Sequence, residues 1–191
     1  MNKNIINLTV FAIALSIFGA SFAMAGITGT VDVAIVAATE VSFTTDSFDF
    51  GSGTVSGATA VLTSNSSGGA TTVTGGSWSP TTGGLVLENT GGVAAAITLN
   101  SSTDADSFIG DDAGATFKWK VVNVEADSCS SIGLESFTEI AEGGAGTSAC
   151  TSLGDDSAAD SIGIDFEVTI PIAVDADPAV QATITAIATA A

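Results

Sequence analysis

The sequence predicts an all-β fold, a single β-sandwich of the jelly-roll or Ig-like kind with about eight to ten strands. Three observations carry this. Short apolar runs alternate with polar residues at period two, which puts alternate side chains on opposite faces of a strand. Clusters of Gly, Ser, Asn and Asp separate the runs and supply turns. No stretch beyond residue 25 has convincing helical periodicity, and no repeat recurs at fixed spacing.

The central stretch is 84–100, G-L-V-L-E-N-T-G-G-V-A-A-A-I-T-L-N. Leu85 and Leu87 share one face. Val93, Ala95, Ile97 and Leu99 share another after a break. Asn89-Thr90-Gly91-Gly92 offers residues that tolerate positive φ, so the stretch predicts a β-hairpin.

Taken in order, residues 1–25 have the marks of a secretory signal peptide: Lys3 near the start, an apolar run from Val10 to Phe18, and Ala23-Met24-Ala25 as the cleavage site. The apolar run is short for a membrane span, and no later stretch is long enough, so no integral membrane segment is expected in the mature chain. Residues 26–39 follow as an N-terminal strand. Ile27, Gly29, Val31, Val33 and Ile35 fall on one face. Residues 40–191 then form the sandwich domain, a length sufficient for a real core.

Within it, Val41 and Phe43 mark a short strand, and Phe48-Asp49-Phe50-Gly51-Ser52-Gly53 pairs two Phe before a Gly-rich exit. Weaker strands are expected at 58–63 and 71–74. Trp78 is expected to cover the central strands rather than bind sugar. Residues 101–114 read as a polar loop. Phe117, Trp119 and Val121 point inward from the next strand, with Lys118 and Lys120 outward. Residues 128–159 are rich in Gly, Ser and acids. Ile162, Ile164, Phe166 and Val168 make the cleanest strand, with Asp165 and Glu167 on its exposed side. Pro171 ends it, 175–178 turn, and Val180, Ala182, Ile184 and Ala186 return as the last strand.

Charge narrows the function. Lys118 and Lys120 are the only basic side chains after the leader, against 21 acidic ones. Nucleic acid and anionic lipid both require clustered cations, so neither is an expected partner. Cys129 and Cys150 are the only cysteines. In an exported chain they are expected to form a disulfide.

Catalysis finds little support. With no His, a Ser-His-Asp triad and the usual zinc sites are impossible. The expectation is a protein that is not an enzyme and carries no cofactor, with Ca2+ the one candidate ion. Asp104, Asp106, Asp111 and Asp112 are candidate oxygen ligands, and Asp155, Asp156 and Asp160 a second set. Neither follows the EF-hand pattern, and a solvated acidic loop is the simpler account of both. Asn65-Ser66-Ser67 and Asn100-Ser101-Ser102 are acceptor sequons if the host glycosylates exported proteins.

The order of parts resembles microbial exported β-sandwich surface proteins, the camelysin/TasA-like fibre subunits and the pilin-like surface proteins of bacteria and archaea. The motifs are the leader with its immediate small-residue strand, F-D-F-G-S-G at 48–53, L-V-L-E-N-T-G-G-V at 85–93, and D-F-E-V-T-I-P-I-A-V-D-A-D-P at 165–178. The resemblance implies a jelly-roll or Ig-like subunit that donates a strand to its neighbour. It brings no catalytic residue, since no His or metal-ligand cluster stands here for the protease reading sometimes attached to camelysin. The expected function is a structural subunit of a cell-surface filament, a homopolymer of secreted copies. Ile27, Val31, Val33 and Ile35 are its candidate assembly residues. The strand at 26–39 pairing within its own sandwich is the other arrangement open to it. A monomeric secreted adhesin or cell-wall module using calcium is the alternative function.

Overall fold

The computed structural model describes residues 39–51, 53–55, 57–78, 83–110, 113–143, 146–172 and 181–191. The leader, the strand holding Ile27, Val31, Val33 and Ile35, the pair Asp111 and Asp112, and the turn at 175–178 lie outside the described residues.

Among those residues the chain forms twelve strands and one short helix. The strands are β1 (Val41–Thr45), β2 (Gly53–Thr54), β3 (Ala60–Thr63), β4 (Thr72–Thr74), β5 (Ser77–Trp78), β6 (Leu85–Asn89), β7 (Ala95–Ser101), β8 (Thr116–Asn123), β9 (Thr138–Glu139), β10 (Thr147–Leu153), β11 (Ser161–Ile170) and β12 (Ile184–Ala190). The helix, α1 (Ala105–Ile109), lies between β7 and β8. The named strand pairs are all antiparallel.

β11 is the axis of the larger sheet. Along one edge it pairs with β8 from Ile162 to Thr169, which sets Phe166 directly opposite Trp119. Along the other edge two strands share its length. β6 pairs with residues 161–164 and β3 with 167–170. β1 extends the sheet beyond β6, β4 beyond β3, and β9 beyond β8. A second sheet has the order β10-β7-β12, and β2 pairs with β5 in a small ribbon.

The alternation read from sequence holds on the inner faces. Leu85, Leu87, Ile97, Leu99, Phe117, Trp119, Ile162, Ile164, Phe166 and Val168 are all buried in one apolar cluster fed by both larger sheets. Phe117 stacks near Phe166 at 5.9 Å between ring centres, and Phe108 of α1 stacks on Phe117 at 4.4 Å. Each such side chain contributes about 1.5–3 kcal/mol by leaving water. Ile184 is only half-buried, and among the described residues no strand lies beyond β12 on its side.

The predicted hairpin is corrected. β6 pairs with β1 and β11, whereas β7 pairs with β10 and β12, so the two strands belong to different sheets. Neither Gly91 nor Gly92 has positive φ. The connection crosses between sheets and is held by Asn89, a buried residue. Its side-chain nitrogen donates to the carbonyls of Val93, Leu153 and Gly154 at 2.9, 3.2 and 2.8 Å. Its oxygen accepts from the Gly91 N–H at 3.0 Å. A polar side chain making all these bonds ties the ends of β6, β7 and β10 together.

Two further elements differ from the sequence reading. α1 occupies the expected polar loop: Asp104 caps it by accepting from Ser107 N at 3.0 Å, and Gly110 ends it at φ 122°. Phe108 and Ile109 then pack on the core. β10 lies inside the Gly-, Ser- and acid-rich segment 128–159, where the sequence marks no strand. T-S-A-C-T-S-L has weak alternation, and its pairing with β7 shifts register twice, so no clean period survives in the sequence.

Candidate functional site

The outer face of the β8–β11 pair carries both of the domain's cations. Lys118 lies 3.4 Å from Glu167 and 3.7 Å from Glu139, and Lys120 lies 3.7 Å from Asp165. The Lys120 ammonium also sits 4.8 Å from the centre of the Phe137 ring. Ion pairs that water still reaches, as the two at Lys118 are, contribute little to stability. Asp165 is the exception, since only 4% of its surface is exposed. This corrects the expectation of an exposed face, on which Glu88, Lys118, Lys120 and Glu167 are themselves half-buried.

The cause is the chain after β3. Ser64 continues the pairing, its N–H donating to Phe166 O at 2.9 Å and its hydroxyl accepting from Phe166 N at 2.7 Å. The chain then peels away, and Ser66 N donates to the Asp165 carboxylate. Asp165 therefore fills the gap where β3 ends and β6 begins along β11. Gly163 makes room for this loop, because a Cβ there would lie 2.0 Å from Ser66 Oγ. Gly163 on the polar side of the cleanest strand was the available signal that something approaches closely.

A shallow open cleft of about 250 Å³ borders this arrangement, lined by Ser64, Asn65, Ser67, Thr72, Lys120 and Asp165 among others. Its one cation, Lys120, and its buried carboxylate, Asp165, pair with each other. Asn65 of the first sequon lies here, its side-chain oxygen accepting from Ser67 N at 3.1 Å. Asn100 of the second sequon lies in β7, the middle strand of its sheet.

Of the candidate calcium ligands, Asp104 is the helix cap. Hydrogen bonds from Ser107, the backbone N–H foremost, hold its carboxyl below the usual aspartate range. Asp106 follows in the first turn. Asp160 is buried and accepts from Ser161 Oγ at 3.0 Å, and its N–H donates to Glu125 at 3.0 Å. Among the described residues no three acidic or cysteine side chains group to hold a metal ion.

Cys129 and Cys150 are bonded, with Cα atoms 5.8 Å apart. The bond pins a strap, 128–133, along the outer edge of β10. Ser130 N donates to Ser152 O at 3.0 Å, Thr151 N to Ser131 O at 3.1 Å, and Gly133 N to Ala149 O at 2.9 Å. Trp78 covers the β2–β5 ribbon, its indole N–H donating to Phe50 O at 2.9 Å and its ring lying against Gly53.

The sheet edges complete the inventory. β1 is bulged between Phe43 and Thr45, β4 and β9 are very short, and β10 is strapped. β12 pairs with β7 over seven residues without a register shift. It has no charge, no Pro and no strand on its other side among the described residues. The sequence reading placed a strand near here but had no means of seeing that it ends a sheet. Among the described residues no helix is long and apolar enough to cross a membrane. No family model, curated protein or solved structure matches the chain.

Proposed function

We propose that the protein is a non-catalytic structural subunit of an extracellular, cell-surface filament. Residues 1–25 direct its export, the two larger sheets are the faces of one β-sandwich, and copies join by strand donation from residues 26–39. One observation carries this reading. Among the described residues every buried apolar side chain lies between Ala60 and Pro171, with partial cover from Val41, Phe43, Phe48, Phe50 and β12. A core assembled from residues of the domain itself is what a chain that lends its alternating segment 27–37 to another copy needs. Strand addition is an established recognition mode. Each main-chain hydrogen bond it forms contributes about 1 kcal/mol net, and apolar burial adds about 25 cal/mol per Å². Ordering the terminus subtracts from that sum. The disulfide accords with an oxidising, exported setting.

The test is a chain starting at Glu40. It should stay folded and monomeric, and a peptide of residues 26–37 should bind it and raise its melting temperature. Loss of the fold on truncation would assign the strand to its own sandwich. If the full chain never assembles at any salt or calcium concentration, a monomeric secreted adhesin replaces the filament.

A further inference from the structure

We propose that the far edge of β12, unpaired among the described residues, is the acceptor for residues 27–37 of a neighbouring copy, an inference that rests on the strand-donation reading and adds where the donor docks. Thr183 O accepts from Ser102 N, and Ala191 N donates to Ala94 O. In an antiparallel ladder the residues bonded to one neighbour alternate with those facing away. Odd-numbered residues of β12 therefore bond β7, and the N–H and C=O groups of Ile184, Ala186, Ala188 and Ala190 point outward.

The side chains agree with a missing neighbour. Ile97 and Leu99 on β7 are fully buried, but Ile184, Ala186 and Ala188 pack on the same core and stay half-covered. A strand beyond β12 with small apolar side chains on its inner face would complete their cover. Val31, Val33 and Ile35 have that size and spacing. The other edges carry a bulge, extreme shortness or a strap, devices that block strand addition. β12 has none, and Ile187 stands 45% exposed upon it.

Charge points to a second copy of this chain. The formal net charge is −18, yet 181–191 has no charged side chain and 27–37 has only Asp32, on the face opposite Val31 and Val33. The two segments can meet without the repulsion that a pairing of acid-bearing surfaces would meet.

The test uses the full exported chain and two variants. Ala186→Pro removes an outward N–H without touching the β7 ladder, and Ile187→Lys places a charge on the edge. Each should raise the concentration needed for assembly about tenfold or more, with the melting temperature of the monomer little changed. Hydrogen exchange of the unmodified chain keeps the test independent of either variant folding. The outward amides of 184, 186, 188 and 190 should exchange fast in the monomer and slowly in the assembly. Variants that assemble like the parent, or outward amides that gain no protection, overturn the proposal. Slow exchange at those amides in the monomer also overturns it, by covering the edge in cis. If an added 26–37 peptide still caps assembly in those cases, strand donation stands and only the acceptor is wrong. If the peptide has no effect on the parent chain, donation itself fails.

Discussion

Asn89 is buried at the point where the chain leaves one sheet for the other, its amide nitrogen facing three carbonyl oxygens. Asn89→Ala should cost about 1–3 kcal/mol, the desolvation of carbonyls left without a donor. Asn89→Asp should cost more at neutral pH, about 3 kcal/mol or above, because a carboxylate would face those oxygens unpaired. Its folded-state pKa would then lie above the unfolded value, so the loss should shrink as pH falls and the acid regains a proton to donate. Denaturant melts at neutral and acid pH check this, and equal losses at both would contradict the assigned contacts. Phe166→Ala is the apolar counterpart. Phe166 stacks near Phe117 and lies opposite Trp119, both buried. The substitution should cost about 3–5 kcal/mol by the same measurement.

At the scale of elements, the strands with strong alternation were legible and their partners were not. Ile162, Ile164, Phe166 and Val168 declare an inner face by period alone, and the structure buries all four. Nothing local to 84–100 distinguishes a hairpin from a crossing between sheets, because that choice is made by β1, β10, β11 and β12 competing for the same edges. α1 was hidden for a related reason. Five residues give no periodicity, and only Asp104 followed by Phe108 and Ile109 hints at a capped turn. Asp104 has a lowered pKa through Ser107. A depressed carboxylate stabilises above its unfolded pKa and loses that contribution as pH falls through its folded value. The Ser107 amide resonance should therefore titrate with a midpoint below that of an unperturbed aspartate. A midpoint at or above it would remove the cap. The Cys129–Cys150 bond, which the sequence did predict, closes a loop of 21 residues. Reduction should cost about 3 kcal/mol in the chain-entropy model and speed exchange at Ser130, Gly133 and Thr151, whose amides bridge the strap and β10. Intact protein should weigh two protons less than its reduced form, and free thiols in fresh protein would contradict the pairing.

The whole molecule is a strongly acidic β protein whose two domain lysines are already engaged by carboxylates. Copies repel one another through their formal net charge of −18, and salt screens that repulsion beyond about 10 Å at 0.1 M. Assembly through an uncharged strand should accordingly start at lower protein concentration as salt rises. The composition made the acidity and the missing cations legible. It was silent on the edge of β12, since an edge is a property of the sheet and not of the strand. The most direct measurement is electron microscopy of the exported chain beside the same chain begun at Glu40, at equal concentration and salt. The account predicts filaments from the first and dispersed single subunits from the second. Filaments from both, or from neither, would contradict it.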